Sequence, residues 1–138
     1  MPIMPQVNNL MLCDYLSVDS NGKVSCCGIF ENIRAATMPY PFSFYIYATL
    51  TAGKGKQQIR VEIENIFSGL KLADVKCDVD FNDPMRGLSV MLQMKVLIEE
   101  SGQYAANIIC GGHLLRSTKL NVYYKIQEDG ARSENPGV

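Results

Sequence analysis

Apolar residues in this chain recur at every second position more regularly than at every third or fourth. The clearest run is Gln57–Phe67, where Ile59, Val61 and Ile63 interleave with Arg60, Glu62 and Glu64. Successive side chains of an extended strand point to opposite faces, so this run reads as a strand with one face on a core and the other in water. Leu72–Phe81 repeats the pattern, with Val75, Cys77, Val79 and Phe81 set against Asp74, Lys76, Asp78 and Asp80. Asn9–Ser17 alternates as well, and Phe42–Ala52 adds the aromatic and β-branched residues that pack well on a pleated surface.

Turn residues separate these runs. Asn21-Gly22 predicts a two-residue type I′ hairpin, because both central positions of that turn need positive φ, and the strand Lys23–Ile33 then returns antiparallel. Pro39 and Pro41 cannot donate ladder hydrogen bonds and mark a crossing loop or a sheet edge. Gly53–Lys56, Ser68–Lys71, Asn82–Gly87 and Glu99–Gln103 are the further turns, and Leu88–Ile98, Tyr104–Gly112 and Ser117–Ile126 the remaining strands. Val90–Glu100 contains good helix formers, but its place between turns of a β-patterned chain favours a strand. The expectation is an all-β fold, an antiparallel two-sheet β-sandwich of about eight strands. It occupies residues 1–126 as a single domain, and the apolar-poor segment 127–138 is expected to be a flexible tail.

Composition narrows the function. The 138 residues are 47% hydrophobic and 20% charged, enough for a core without staples. Thirteen Lys and Arg stand against 14 Asp and Glu and are scattered, so the basic stripe of a nucleic-acid binder is missing. No apolar run approaches the roughly 18 residues of a membrane helix. Residues 1–9 lack a basic segment followed by an apolar one, so a cytoplasmic, non-membrane protein is expected. The odd set Cys13, Cys26, Cys27, Cys77 and Cys110 fits reduced thiols in structural positions. Strand geometry sends Cys26 and Cys27 to opposite faces, and the chain has no C-x-x-C pair and one histidine, His113.

Two groups of residues remain candidates for a site. Asp78, Asp80, Asn82 and Asp83 place hard oxygen ligands at a strand end, where calcium is the fitting ion. Their D-x-D-x-N spacing opens like an EF-hand loop, yet Asp83 stands where that loop needs glycine and Ser89 where it needs glutamate. The competing interpretation is a solvated strand face entering an Asn-Asp-Pro turn. Gly53–Lys56 is not a phosphate loop, because Gln57 follows Lys56. The second group is aromatic: Tyr40, Tyr45 and Tyr47 are candidates for an interface, with Phe42, Phe44 and Ile46 facing the core. An enzymatic alternative would pair Cys26, Cys27 or Cys110 with His113 and would require a lowered thiol pKa.

Cys13-Asp14, Gly22-Lys23, Ser25 and Gly28–Ile33 in the opening hairpin, with Gly102 and Tyr104 later, resemble an uncharacterised family of small bacterial β-sandwich proteins. The resemblance implies the fold and a bacterial source, and no activity. With no catalytic constellation, the expected function is a non-enzymatic module that binds a protein partner or self-associates. The alternative is a small-ligand or calcium-binding domain, with no other cofactor.

Overall fold

A computed structural model describes residues 2–83 and 85–124. Its strands are β1 (Gln6–Val18), β2 (Val24–Ile29), β3 (Asn32–Ala35), β4 (Tyr40–Thr51), β5 (Gly55–Asn65), β6 (Lys71–Phe81), β7 (Leu88–Ile98), β8 (Gly102–Cys110) and β9 (His113–Tyr124). No helix occurs among the described residues. The expected tail at 127–138, and the end of the expected last strand at 125–126, lie outside them.

The strands form a four-stranded sheet, β2-β1-β4-β7, and a five-stranded sheet, β3-β9-β8-β5-β6. One shared core joins them. Leu12, Phe44, Ile46, Met94 and Ile98 of the first sheet pack with Val61, Ile63, Tyr104, Leu120 and Val122 of the second. A second cluster brings Ala48, Leu50 and Val90 against Ile59, Phe81, Ile108 and Cys110. Burying each large apolar side chain contributes about 1.5–3 kcal/mol, and the period-2 pattern is what delivers them all to one side.

The fold departs from the expected all-antiparallel, eight-strand arrangement at one place. The predicted strand Lys23–Ile33 is split into β2 and β3, and β3 runs parallel to β9, with Ile33 opposite Val122. Gly28 adopts φ +70°, one residue before the last β1–β2 pair, Cys13 with Ile29. Phe30 then donates its N–H to the Leu12 carbonyl at 3.0 Å and turns its ring onto Phe42 and Phe44, edge-on at 5.6 and 5.8 Å. One residue on, the Glu31 carbonyl accepts the Asn121 N–H at 2.7 Å, so the chain has crossed to the other sheet.

The first hairpin also has a different turn. Asp19 N–H donates to the Lys23 carbonyl (2.9 Å) and Gly22 N–H to the Asp19 carbonyl (3.0 Å), enclosing a three-residue loop with positive φ at Gly22 and not at Asn21. The Asp19 carboxylate accepts the N–H groups of Asn21 and Lys23 at 2.8 and 2.9 Å, which favours this loop over type I′. Two successive positive-φ residues occur instead at Gly111-Gly112, between β8 and β9. Pro41 sits in β4 opposite Leu97, beyond Tyr45 where the β1 ladder stops, so no partner strand faces it on that side.

Candidate functional site

The two sheets differ sharply in charge. Asp14 and Lys95 are the charged residues of β1, β2, β4 and β7, whereas β5 and β6 alone carry Lys56, Arg60, Glu62, Glu64, Lys71, Asp74, Lys76, Asp78 and Asp80. Opposed residues of neighbouring strands share a face, so the register maps the outer surface of the four-stranded sheet. Met91, Tyr47 and Met11 form one row. Gln93, Tyr45, Cys13 and Ile29 form the next, and Tyr15 lies beside Cys27. Leu97 and Pro41 extend the surface towards one end. Ile29 is 60% exposed, Tyr15 59%, Leu97 48% and Met91 43%, while Met11, Tyr45 and Tyr47 are half-buried by one another. Among the described residues, Lys95 is the one charge in this surface.

Of the three tyrosines expected at an interface, Tyr45 and Tyr47 stand here and Tyr40 does not. Tyr40 shares the inner face with Phe42, stacked on it at 5.8 Å, and packs against the core. The two-residue spacing from Tyr40 to Phe42 already put them on one face. Met11, Tyr15, Ile29, Met91 and Leu97 were not singled out from the sequence; the signal was the near absence of charge in four strand segments far apart in the chain.

On the opposite surface, the five-stranded sheet buries a carboxylate. Glu62 is 2% exposed, and its Oε2 accepts hydrogen bonds from Lys71 Nζ at 2.8 Å and from the Arg60 guanidinium. Arg60 also bonds Asp74 at 3.0 Å and holds that carboxyl below its ordinary pKa.

The cysteines are all free thiols. Cys13 is buried between Tyr45 and Ile29, and burial pushes its pKa up to about 11. Cys27, opposite Tyr15, is exposed, while Cys26, opposite Leu16, is half-buried on the other face. Burial raises Cys77, with Asp78 adding to it, and burial raises Cys110. Cys110 and His113 are cross-strand partners, but the Cys110 thiol donates to Gln57 Oε1 at 3.1 Å while His113 is exposed. Each of these three shifts opposes thiolate formation, the reverse of what a nucleophile requires.

The acidic candidates are brought only partly together. Asp80, Asn82 and Asp83 line a groove of about 310 Å³ with Arg86. Asp78 lies outside it and accepts from Gln58 Nε2 at 3.3 Å. With its amide oriented to donate, Asn82 reaches both Asp80 oxygens at 3.1 and 3.2 Å. Asp83 Oδ1 accepts the Met85 N–H at 3.0 Å, and its carbonyl accepts that of Arg86 at 2.9 Å, an Asx turn. Among the described residues, no three His, Cys, Asp or Glu side chains converge as a metal site, and no helix is long and apolar enough to cross a membrane.

Residues 8–123 match the model of a family of unknown function, DUF6941. No curated protein matches the chain. Solved structures include a Pseudomonas fluorescens alkylpurine DNA glycosylase, AlkC, bound to DNA containing an abasic site analog: 12% identity, TM-score 0.48, covering 86% of this chain and 30% of that one. A Listeria innocua beta-glucosidase in complex with isofagomine is 10% identical with TM-score 0.46, over 88% of this chain and 17% of its own. The chain thus spans less than a third of either protein.

Proposed function

The chain belongs to the DUF6941 family of unknown function, and from that premise we propose that it is a non-enzymatic β-sandwich module of the bacterial cytoplasm that self-associates or docks a protein partner. The docking surface is the outer face of the four-stranded sheet. The observation that carries this reading is the face itself: Met11, Tyr15, Ile29, Tyr45, Tyr47 and Met91 lie side by side with Lys95 as the single charge. Interface centres are depleted of charge and enriched in tyrosine and methionine, and a contiguous exposed apolar patch marks an interaction site. The other sheet's outer face, dense in paired charges, is what a merely solvated surface looks like. Cores contributed by both sheets support the sandwich description. A calcium-binding reading of Asp78, Asp80, Asn82 and Asp83 has less support, because local hydrogen bonds already occupy these side chains.

Light scattering coupled to gel filtration tests the proposal. The expected result is either a dimer that Tyr47→Lys or Met91→Lys converts to a monomer, or a monomer that retains a host protein which both variants lose. A strict monomer that retains nothing from its native host overturns it.

A further inference from the structure

The hairpin connecting β5 and β6 presents an unusual combination of order and apolar exposure. Phe67 is 82% exposed, Leu70 58% and Ile66 43%. A loop that merely connects two strands has no reason to hold three large apolar groups in water. The backbone N–H groups beneath them are all bonded. Asn65 N–H donates to the Leu70 carbonyl and Gly69 N–H to the Asn65 carbonyl, both at 2.8 Å. Ile66 N–H reaches the Gln103 carbonyl of β8 at 3.0 Å. The Asn65 side-chain oxygen accepts the N–H groups of Phe67 and Ser68 at 2.9 and 3.1 Å, and Ser68 Oγ that of Leu70 at 3.2 Å. Every N–H from Asn65 to Leu70 has a partner, and Asn65 itself is 4% exposed. Such a tip is pre-organised, so docking it costs little ordering entropy.

We propose that this tip is a rigid apolar finger that inserts Phe67, flanked by Ile66 and Leu70, into a hydrophobic pocket of a protein partner whose rim is basic. Charge decides the occupant. Glu64 precedes the finger on β5, and Glu99 and Glu100 lie on the neighbouring β7–β8 turn. Tyr104 ties the two turns together, since it stands opposite Asn65 and its hydroxyl donates to the Glu100 carbonyl at 2.7 Å. The cation at the finger's base, Lys71, gives its ammonium to Glu62. Among the described residues, Glu64, Glu99 and Glu100 make no ion pair. A negative collar around an apolar tip complements Lys and Arg on a protein rim and is repelled by an anionic bilayer. The finger is distinct from the uncharged sheet face, and either can fail without the other.

The test is benzoylphenylalanine at position 67, photo-crosslinked in cells of the source organism, with identification of the adduct. Ser20, at an exposed turn, is the control position. The purified adduct partner is then titrated with wild-type protein, Phe67→Ser and Glu99→Lys/Glu100→Lys. One protein crosslinks from 67 and not from 20. Its affinity falls by roughly tenfold or more in Phe67→Ser. It falls again with charge reversal and with added salt, and is unchanged in Ser20→Lys. The proposal is overturned by any of four results: no specific adduct, an adduct with a second copy of this chain, an affinity that ignores the variants, or co-sedimentation of wild type but not Phe67→Ser with phosphatidylserine vesicles.

Discussion

Asp14 occupies the space that a side chain on Gly28 would need: a Cβ there would stand 2.5 Å from the Asp14 carboxylate oxygen. This close approach between β1 and β2 coincides with the +70° φ at Gly28, one residue before the last β1–β2 pair, after which the chain departs for the other sheet.

Gly28→Ala is therefore expected to destabilise the fold by about 1–3 kcal/mol, through backbone strain and the steric conflict together. Asp14→Ala in the same background relieves the conflict with the carboxyl group, while its Cβ stays 3.0 Å away and the backbone strain remains. A urea double-mutant cycle checks both, and additive effects of the two substitutions would contradict the contact.

Removing the cations around Glu62 is expected to be worse than removing the carboxylate. The anion is buried, while Arg60 and Lys71 keep access to water. Arg60→Met/Lys71→Met leaves a buried charge without partners and is expected to lose about 3–5 kcal/mol at neutral pH. Glu62→Gln leaves Arg60 on Asp74 and frees only the solvated Lys71 ammonium, and it loses less. Equal losses in chemical denaturation would show that Glu62 is not the critical desolvated group.

Thiol reactivity should follow exposure. Cys27 is expected to be alkylated first in the native state and Cys13 and Cys110 last, near their unfolded rate only in denaturant. The pH dependence has a definite sign. Cys13 binds its proton more tightly folded than unfolded, its pKa rising from 9.0 to about 11. Its contribution is complete below pH 9 and is lost as pH rises towards 11. Cys13→Ala is expected to flatten the fall in stability across that window; an unchanged slope would assign the fall to other groups.

Calcium at millimolar concentration is expected to leave the melting temperature unchanged, because Asp80 and Asp83 serve Asn82 and the turn at Met85. A calcium-dependent rise abolished by Asp80→Asn would restore the metal reading.

Much of the fold was legible because its cause is local. Ile59, Val61 and Ile63 announce an inner face by their spacing alone, and β4 to β7 fall where the alternation puts them. Tyr40 was misplaced for want of applying the same rule, as its parity with Phe42 carried the answer. The acidic stretch carries two alternatives in its spacing, and which hydrogen bonds its side chains make depends on Gln58 and on the turn at Met85.

The amino-acid order by itself determined the β class, the faces of most strands, the reduced and dispersed cysteines, and the separation of Cys26 from Cys27, since each depends only on neighbours along the chain. Tertiary structure decided what neighbours cannot. It split the second hairpin strand, where Phe30 packs edge-on against Phe42 and Phe44 of another strand. It assembled Met11, Tyr15, Ile29, Tyr45, Tyr47 and Met91 into one uncharged surface, because strand order and register, which bring residues from four distant segments side by side, are set by packing across the whole core.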